Sequence, residues 1–380
     1  MKTVYLDNAA TTPIRPEVIE VIITSMEQLY ANASATYSIG RKSKAAIEGA
    51  RKQIAQYIGV EASEVIFTSG GTEANNIILN TCLKDLGVKH IITSKIEHHA
   101  VLKTIEVLAN QYKVKVSYLP ILPCGEVCLE TLTNKLASAE EKVLVSLMHI
   151  NNEIGTILNM STVGKLCETH NALFHSDTVQ AVGHIPLELN NNIHFATASA
   201  HKFYGPKGIG FAVIKKNLGV KPLFYGGEQE RGLRAGTEAT HQIVGMAEAL
   251  KICTNNYVKD LEYVLAIKEY AIKAFKNNIN DVSFNANSDR IDRKHSMLNV
   301  CLPVSNEKAS IILFQLDMVG VCCSRGSACQ SGSNKPSHVL VEFLTPDKLK
   351  LTSLRFSFSI FTTKKDIDYL IDSLKKILAQ

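Results

Sequence analysis

A lysine followed by a glycine-rich turn is the first feature of this sequence that suggests chemistry. Lys202 stands in the segment 199–208, Ser-Ala-His-Lys-Phe-Tyr-Gly-Pro-Lys-Gly, directly after a predicted buried strand. Partial burial helps an amine to lose its proton, and an unprotonated lysine can form a Schiff base with a carbonyl cofactor. A surface lysine before an ordinary turn is the alternative that these residues leave open.

A pair of glycines predicts an anion site elsewhere in the chain. Gly70, Gly71 and Thr72 separate the apolar run 65–67 from a helical pattern that continues towards Leu83. Backbone N–H groups at a helix N-terminus attract anions, and glycine lets the backbone approach them closely. The spacing therefore predicts a phosphate site, with a tight turn and an ordinary helix cap as the alternative.

Two further polar residues follow predicted strands. Asp177 closes the run 172–176, and Gln180 comes three residues later. A carboxylate at this end of a strand points into the crevice where α/β proteins bind ligands, and it could keep a pyridine nitrogen protonated. His98 follows the run 90–93 and could stack on a cofactor ring and carry protons. A helix N-cap is the alternative for Asp177, and a histidine with no functional role at a helix start is the alternative for His98.

A single cysteine among small residues is the candidate nucleophile. Cys329 lies in the segment 324–333, where serine and glycine predict a mobile loop that could bring a thiol to a substrate and away again. Cys322 and Cys323 precede it in a more apolar run and are interpreted as packed small hydrophobes. A metal site is the alternative for this cluster, but it lacks the paired spacing of zinc ligands, so we predict no metal.

Arg355 alternates with apolar neighbours in Leu-Arg-Phe-Ser, residues 354–357. This pattern is typical of a strand with one polar face. A guanidinium held there could bind a substrate carboxylate through two parallel hydrogen bonds. A surface ion pair is the alternative.

The elements that must position these residues follow from the apolar pattern. Helices are predicted over 18–29 and 41–58, the second ending at Gly59 in a left-handed cap. Strand candidates recur at 65–67, 90–93, 114–119, 143–148, 172–175, 194–198 and 209–214. Buried strands that alternate with helices predict a mainly parallel sheet in an α/β domain.

The pattern changes after about Thr254, where a long helix leads to strand candidates at 282–284, 298–302 and 354–359 and a closing helix. This change predicts a second, smaller α+β domain. We therefore place a large domain at residues 15–254, and a small domain, which carries the cysteine loop, at residues 1–14 and 255–380.

Composition restricts the class of protein. The chain has 380 residues, 46% of them apolar and 20% charged, with a formal charge of +5, which is typical of a soluble globular protein. The sequence shows no basic face with interleaved aromatic residues, so we do not predict direct nucleic-acid binding. No apolar run approaches the roughly 20 residues of a membrane helix. The nine cysteines lack a disulfide framework. We therefore expect reduced thiols and a cytoplasmic location.

Taken together, ordered motifs along nearly the whole chain resemble one family. They lie at 5–13 (Tyr-Leu-Asp-Asn-Ala-Ala-Thr-Thr-Pro), 68–76, 97–101, 149–155 (His-Ile-Asn-Asn-Glu-Ile-Gly), 177–180, 199–210, 230–237, 326–333 and around Arg355. The chain resembles the cysteine desulfurases of the class V aminotransferase group, of the nitrogen-fixation and iron–sulfur-assembly type. The resemblance implies a fold-type I transferase with pyridoxal 5'-phosphate as its cofactor.

The resemblance also implies a role for each motif residue. Lys202 would hold the cofactor covalently, and Arg355 would bind the substrate carboxylate. The other cofactor contacts would be Gly71, Thr72, Ser199 and His201 to the phosphate, Asp177 to the ring nitrogen, Gln180 and Asn152 to the ring oxygen, and His98 to the ring face. Asn152 would also approach the substrate, and Lys202 and His98 would carry protons. Thr237 would reach the phosphate in a partner subunit, which implies a homodimer.

The implied reaction converts L-cysteine to L-alanine and leaves a persulfide on Cys329. A sulfur-acceptor protein would then take the sulfur, for iron–sulfur cluster assembly, tRNA thiolation or DNA phosphorothioation. Two alternatives remain open at this point. One is a selenocysteine lyase or an ordinary aminotransferase on the same fold, and the other is a non-enzymatic scaffold that binds metal or sulfur.

The sequence departs from the family pattern at two places. Tyr37 stands where the family usually has a histidine, and Ser359 and Ile360 replace a usual Gly-Arg pair. These changes bear on access to the substrate pocket and on the surface that an acceptor would contact.

Overall fold

The computed structural model describes residues 3–187, 189, 192–293, 295–326 and 337–379. The helices are α1 (Pro16–Gln28), α2 (Ser38–Ile58), α3 (Gly71–Lys84), α4 (His99–Tyr112), α5 (Leu129–Ala137), α6 (Met160–Thr169), α7 (Thr240–Asn255), α8 (Tyr257–Asn278), α9 (Ala309–Met318), α10 (Pro346–Leu349) and α11 (Lys364–Leu378). The strands are β1 (Val4–Tyr5), β2 (Val65–Thr68), β3 (His90–Ser94), β4 (Lys115–Leu119), β5 (Val143–Ser146), β6 (Leu173–Asp177), β7 (Phe195–Ser199), β8 (Gly210–Ile214), β9 (Ser283–Phe284), β10 (Met297–Ser305), β11 (Val321–Cys322) and β12 (Leu351–Ser357).

The main sheet has seven strands in the order β2-β8-β7-β6-β5-β3-β4. Strand β8 runs antiparallel to both of its neighbours, and all other pairs are parallel. The predicted mainly parallel mixed sheet is therefore confirmed. Parallel pairs need crossover connections; helices α4, α5 and α6 lie in those between β3 and β6, whereas no helix lies in the described residues between β6 and β7.

The sheet is covered on both faces, which explains why its strands are nearly continuous apolar runs. Alternate residues of one strand enter different cores. In β6, Leu173 packs into one hydrophobic cluster and Phe174 into the other, and in β3 Ile91 and Ile92 are divided in the same way. Both clusters consist of buried aliphatic and aromatic side chains, so the sheet is fixed from two sides.

Local signals set several helix ends. Helix α2 stops at Gly59, whose φ of 70° is left-handed, as the sequence predicts. Helix α11 begins with a capping box, in which Thr363 and Asp366 each bond the other's backbone N–H. None of the helices in the described ranges combines the length and apolar character needed to cross a membrane.

A second group of elements builds its own core. Strands β12, β10 and β9 form an antiparallel sheet in that order, and β1 pairs in parallel with β11. The N-terminal residues Val4 and Leu6 enter the same cluster as Phe275 of α8 and Phe356 of β12. The domain limits inferred from sequence, at residues 14/15 and 254/255, stay a prediction.

Candidate functional site

A cavity of about 240 Å³ lies where the carboxyl ends of β6 and β7 meet the N-termini of α3 and α4. This is the edge of an α/β sheet at which ligands bind. The cavity is lined by Ala9, Ala10, Gly71, Thr72, Asn75, His98, Met148, Asn152, Asp177, Val179, Gln180, Ser199, His201, Lys202 and Arg355. The lining includes every candidate residue from the sequence except Thr237 and Cys329.

Lys202 is half-buried in the short 3-10 turn Ala200–Lys202 that follows β7. Its Nζ donates hydrogen bonds to the carbonyl oxygens of Ala9, at 2.6 Å, and Ala10, at 2.8 Å. The imidazole of His184 donates from Nε2 to the main-chain carbonyl of Lys202 at 2.6 Å. The amine is thus directed into the cavity wall formed by the N-terminal segment, and its own backbone is fixed from behind.

Asp177 is buried at the end of β6, where two neutral donors orient its carboxylate. Oδ2 accepts from Nδ2 of Asn75 at 2.8 Å, and Oδ1 accepts from the backbone N–H of Val179 at 3.0 Å. Neutral donors stabilise a carboxylate without neutralising its charge. Sequence reasoning missed Asn75, although it lies one helical turn after Gly71 and therefore on the same side of α3.

His98 both caps a helix and lines the cavity. Its Nδ1 accepts a hydrogen bond from the backbone N–H of Ala100 at 3.1 Å, so the neutral ring carries its proton on Nε2. Burial lowers the pKa of His98 from its ordinary value of 6.5. The neutral form of the ring therefore predominates at pH 7.

The start of α3 packs closely against the opposite wall of the cavity. A Cβ added at Gly71 would lie 2.6 Å from Cγ2 of Val179, and one at Gly70 would lie 3.3 Å from Oγ of Ser199. Only glycine therefore lets the helix N-terminus and its N–H groups approach the opposite wall. His201 lies on the same wall, where burial, reinforced by Lys202 and Lys207, lowers its pKa to about 4.

Arg355 lies on β12 and is only 1% exposed, so the surface ion pair considered from sequence is wrong for it. Nη2 donates to Oδ1 of Asp7 at 2.6 Å, and Nη1 donates to the main-chain carbonyl of Asn152 at 2.8 Å. Nε of Arg355 and Oδ1 of Asn152 have no hydrogen-bond partner within the described ranges. Unsatisfied buried polar atoms are costly, so their presence beside a cavity indicates a ligand.

Sequence reasoning assigned no individual role to Asp7. The residue lies in the N-terminal motif 5–13, and that motif is the signal that could have identified it. Its other oxygen, Oδ2, accepts from Oγ of Ser324 at 2.7 Å. Asp7 therefore joins the arginine of the cavity to the start of the segment that carries Cys329.

Two candidate residues are not among the lining residues, one of them because it lies outside the described part of the chain. Thr237 is exposed and lines a separate recess with Thr68, Glu230 and Arg234. Cys329 lies outside the described residues, so its role stays a prediction from sequence. Cys323 packs against the smaller core, and burial raises the pKa of its thiol.

The residues at which the sequence departs from the family pattern are not among those that line the cavity. Tyr37 is exposed at the N-terminus of α2. Ser359 is buried in a turn, where its Oγ accepts from the backbone N–H of Phe361 at 3.2 Å. Within the described part of the chain, no group of three histidine, cysteine or acidic side chains could hold a metal ion.

Comparisons with known proteins agree with this geometry. The aminotransferase class-V family matches residues 4–370. Cysteine desulfurase IscS of Dictyoglomus turgidum is 40% identical over 381 residues, covering 99% of this chain and 95% of that protein. The solved structure of a NifS-like protein has a TM-score of 0.89 at 31% identity and covers 100% of both chains. The structure described as SspA in complex with cysteine has a TM-score of 0.81 at 30% identity, covering 95% of this chain and 100% of that one.

The chain therefore belongs to the class-V aminotransferase family, in the group formed by the cysteine desulfurases. The resemblance found in the sequence motifs is confirmed over the full length. The fold-type I architecture is confirmed with it.

Proposed function

We propose that this protein is a pyridoxal-phosphate-dependent cysteine desulfurase that converts L-cysteine to L-alanine and holds the released sulfur as a persulfide on Cys329. The observation that carries the proposal is the single cavity in which Lys202, Asp177, His98 and Arg355 meet. The names of the curated relatives, and the cysteine complex of the SspA structure, support this choice of substrate.

The residues present fit a ligand with a phosphate, a pyridine ring and a carbonyl. The N-terminus of α3, with Ser199 and the neutral His201, offers hydrogen-bond donors for a phosphate at one end of the cavity. The buried carboxylate of Asp177 suits a protonated ring nitrogen, and the side-chain amide of the buried Asn152 could donate from Nδ2 to the ring oxygen. Gln180 donates from Nε2 to the carbonyl of Ala9 and lies on the same wall.

When bound, pyridoxal 5'-phosphate supplies an electron-withdrawing ring that stabilises the charge left on a substrate when its Cα–H bond breaks. The chain's own residues do the rest. Asp177 would stabilise a positive charge at the ring nitrogen, and His98 would pack against the ring and orient it. The amine of Lys202, already within hydrogen-bond distance of the cavity wall, carries the proton that leaves Cα.

Arg355 orients the substrate through its carboxylate. Its guanidinium is buried and shared between Asp7 and the carbonyl of Asn152, so its planar donors are held in place before a substrate arrives. In the sulfur step, the thiolate of Cys329 forms a bond to the substrate sulfur while the Cβ–S bond breaks. The carbon skeleton keeps that electron pair, takes up one proton at Cβ, regains the Cα proton from Lys202 and leaves as alanine.

A homodimer belongs to the same proposal. Thr237 is exposed and lies apart from the cavity of its own chain, which suits a contact made in a partner subunit. Helix α1 presents a stripe of exposed apolar side chains, Ile19, Ile23 and Met26, at helical spacing. A sulfur-acceptor protein is the further partner that the reaction requires, because a persulfide is a form of sulfur ready for transfer.

We also propose a cytoplasmic location. The eight cysteines within the described ranges are all free thiols, as is usual for proteins kept in a reducing compartment.

The test of the proposed function is the substitution Cys329→Ser. The purified variant should keep the visible absorbance of the bound cofactor but form neither persulfide nor alanine from L-cysteine. The loss should be about 10³-fold or more, because a hydroxyl is a far weaker nucleophile than a thiolate. Alanine and sulfide are measured in the presence of a thiol reductant, and the persulfide by the mass of the peptide that contains residue 329.

Cys124→Ser is the matched control, because this half-buried thiol is not among the residues that line the cavity. It should behave as the unaltered protein does. Full desulfurase activity in Cys329→Ser would contradict the assignment of the nucleophile. Formation of a keto acid instead of alanine would favour the aminotransferase alternative.

A further inference from the structure

A carboxylate that does not line the cavity contacts both sides of the segment that carries Cys329. Glu153 is completely buried and follows Asn152, one of the residues of the cavity wall. Burying a carboxylate is expensive unless it is paired or hydrogen-bonded. The groups that Glu153 contacts therefore indicate which part of the structure the buried carboxylate stabilises.

On the C-terminal side of the segment, Ser337 is the partner. Its Oγ donates a hydrogen bond to Oε2 of Glu153. The same Oγ accepts from the backbone N–H groups of Val339, at 3.1 Å, and Leu340, at 3.2 Å. The hydroxyl thus caps the turn that begins at Ser337, and its proton ties that turn to Glu153.

On the N-terminal side of the segment, Glu153 lies close to the backbone of Gly326. A Cβ added at this glycine would lie 3.3 Å from Oε2 of Glu153, so the chain passes directly against the carboxylate. Oε2 therefore lies beside residue 326 and accepts a hydrogen bond from residue 337. These two positions flank Cys329 in sequence.

The second oxygen of Glu153 faces His338. Nε2 of His338 donates to the main-chain carbonyl of Glu97 at 3.0 Å, since a carbonyl can only accept. Nδ1 of the neutral ring is then an acceptor, and it lies 3.7 Å from Oε1 of Glu153. Neither atom has a hydrogen-bond partner among the described residues. At 3.7 Å the imidazole of His338 lies against this carboxylate oxygen without a hydrogen bond, so Glu153 also contacts the residue that follows Ser337.

Glu153 is itself fixed to the cavity. Its backbone N–H donates to Oδ1 of Asn151 at 2.9 Å, and its carbonyl accepts from Nδ2 of Asn299, on β10, at 3.1 Å. The adjacent carbonyl of Asn152 accepts from Arg355. A chain of bonds therefore runs from Arg355 through residues 152 and 153 to Ser337, and it passes beside Gly326 on the other flank of Cys329.

We propose that Glu153 is a positioning residue for the sulfur-transfer step. It holds residues 326 and 337–338 in a fixed relation to the cavity, so that the nucleophile approaches the substrate sulfur from a constrained origin. The inference rests on the proposed role of Cys329. A misplacement of about 1 Å at a reacting atom can cost roughly 10²-fold in rate, which is the scale of effect that such an anchor controls.

The experiment compares Glu153→Ala with Glu153→Gln. Alanine removes the hydrogen bond to Ser337 and the contacts with Gly326 and His338, so kcat for alanine and persulfide formation should fall by about 10-fold or more. The KM for L-cysteine, the cofactor absorbance and the absorbance change on adding L-cysteine should stay within about twofold, because these report on the cavity alone. Glutamine should restore most of kcat, since its amide oxygen accepts from Ser337 while its N–H donates to Nδ1 of His338.

Glu97→Gln is the matched control. Glu97 is equally buried, at 1% exposed, but its side chain bonds Ser94 and contacts neither flank of the segment. Only its main-chain carbonyl meets His338, and the substitution leaves that atom in place. This variant should keep the kcat of the unaltered protein.

Backbone hydrogen exchange in the resting holoenzyme gives a readout that does not depend on turnover. The amides of Val339 and Leu340 should exchange faster in Glu153→Ala and at the original rate in the two glutamine variants. Unchanged exchange, a kcat within twofold of the original, or a loss that glutamine does not rescue would overturn the inference. A protein that forms no persulfide on Cys329 before any substitution would instead overturn the proposed function, and with it the transfer role of Glu153.

Discussion

The two walls of the cavity are built in different ways. The wall contributed by the seven-stranded sheet presents backbone N–H groups and a carboxylate, Asp177, held by neutral donors. The opposite wall, from β12 and the N-terminal segment, presents Arg355 in an ion pair with Asp7. The first arrangement suits a group that stays bound, because its polar atoms are oriented by rigid elements. The second suits a ligand that comes and goes, because the arginine retains a partner when the substrate leaves.

The second wall is also the one connected to the nucleophile. Ser324 pairs with Arg355 through both backbone hydrogen bonds, at 2.6 Å and 3.2 Å, and its hydroxyl donates to Asp7. The strand that carries Arg355 is therefore hydrogen-bonded directly to the start of the cysteine segment. Substitutions on the sheet wall should change the chemistry, whereas those on the opposite wall should change substrate affinity.

The largest effect is expected on the sheet wall, from Asp177→Asn. Loss of the negative charge opposite the ring nitrogen should lower kcat by about 10²-fold with little change in KM, since the charge acts mainly on the transition state. The fold should tolerate the change. Oδ1 of Asn75 lacks a partner among the described residues, so its amide can turn to accept from the new amide. Steady-state kinetics and a melting curve check both expectations.

Asp317→Asn, at an exposed position remote from the cavity lining, is the control for loss of one carboxylate. A kcat for Asp177→Asn equal to that of the control would mean that the charge at position 177 does not act on the reaction.

A smaller effect is expected on the opposite wall, from Arg355→Lys. The charge is kept, but the planar pair of donors is lost, and one charge-assisted hydrogen bond is worth about 1.5–3 kcal/mol. The KM for L-cysteine should therefore rise by roughly 10- to 100-fold with a smaller change in kcat. If kcat falls instead and KM is unchanged, the division of labour between the two walls is wrong.

Much of the sheet wall could be predicted from sequence, because its signals are local. Asp177, Ser199 and His98 each stand at the end of an apolar run, and the period of such runs reports strands buried on both faces. Glycines 70 and 71 mark the start of α3 for the same kind of reason. The motif resemblance then identified the remaining residues of the lining.

The opposite wall could not be predicted from local pattern. The bond between Asp7 and Arg355 joins residues 348 positions apart, and the bond between Glu153 and Ser337 joins residues 184 apart. Whether such side chains meet depends on how the N-terminal segment and β12 pack against the sheet, which no short window of sequence encodes. The contact of His184 with the backbone of Lys202 could not be predicted for a related reason, because a lone histidine belongs to no sequence motif.

The substitution Lys268→Met, in a buried position of α8, should have the smallest effect on catalysis but a measurable effect on stability. Lys268 lies on α8 with no exposed surface, and its Nζ donates to the carbonyls of His295, at 3.3 Å, and Arg290, at 3.5 Å. Burial lowers the pKa of its amine from 10.5 to about 7. Methionine has a similar shape and no charge to bury, so the variant should be more stable by about 1–3 kcal/mol at neutral pH, with unchanged kcat.

The pH dependence tests the cause of that gain. Between pH 7 and 10.5 the unfolded chain holds the Lys268 proton more often than the folded chain does, so stability of the unaltered protein rises with pH in this window. The advantage of Lys268→Met, measured by urea unfolding, should therefore be larger at about pH 6.5 than at about pH 9.5. An equal advantage at both values would mean that the folded protein keeps the proton on Lys268. The attraction of Asp289 and Asp292 would then outweigh the cost of burial, and the smaller core would hold a charged lysine as the cavity wall holds the charged Arg355.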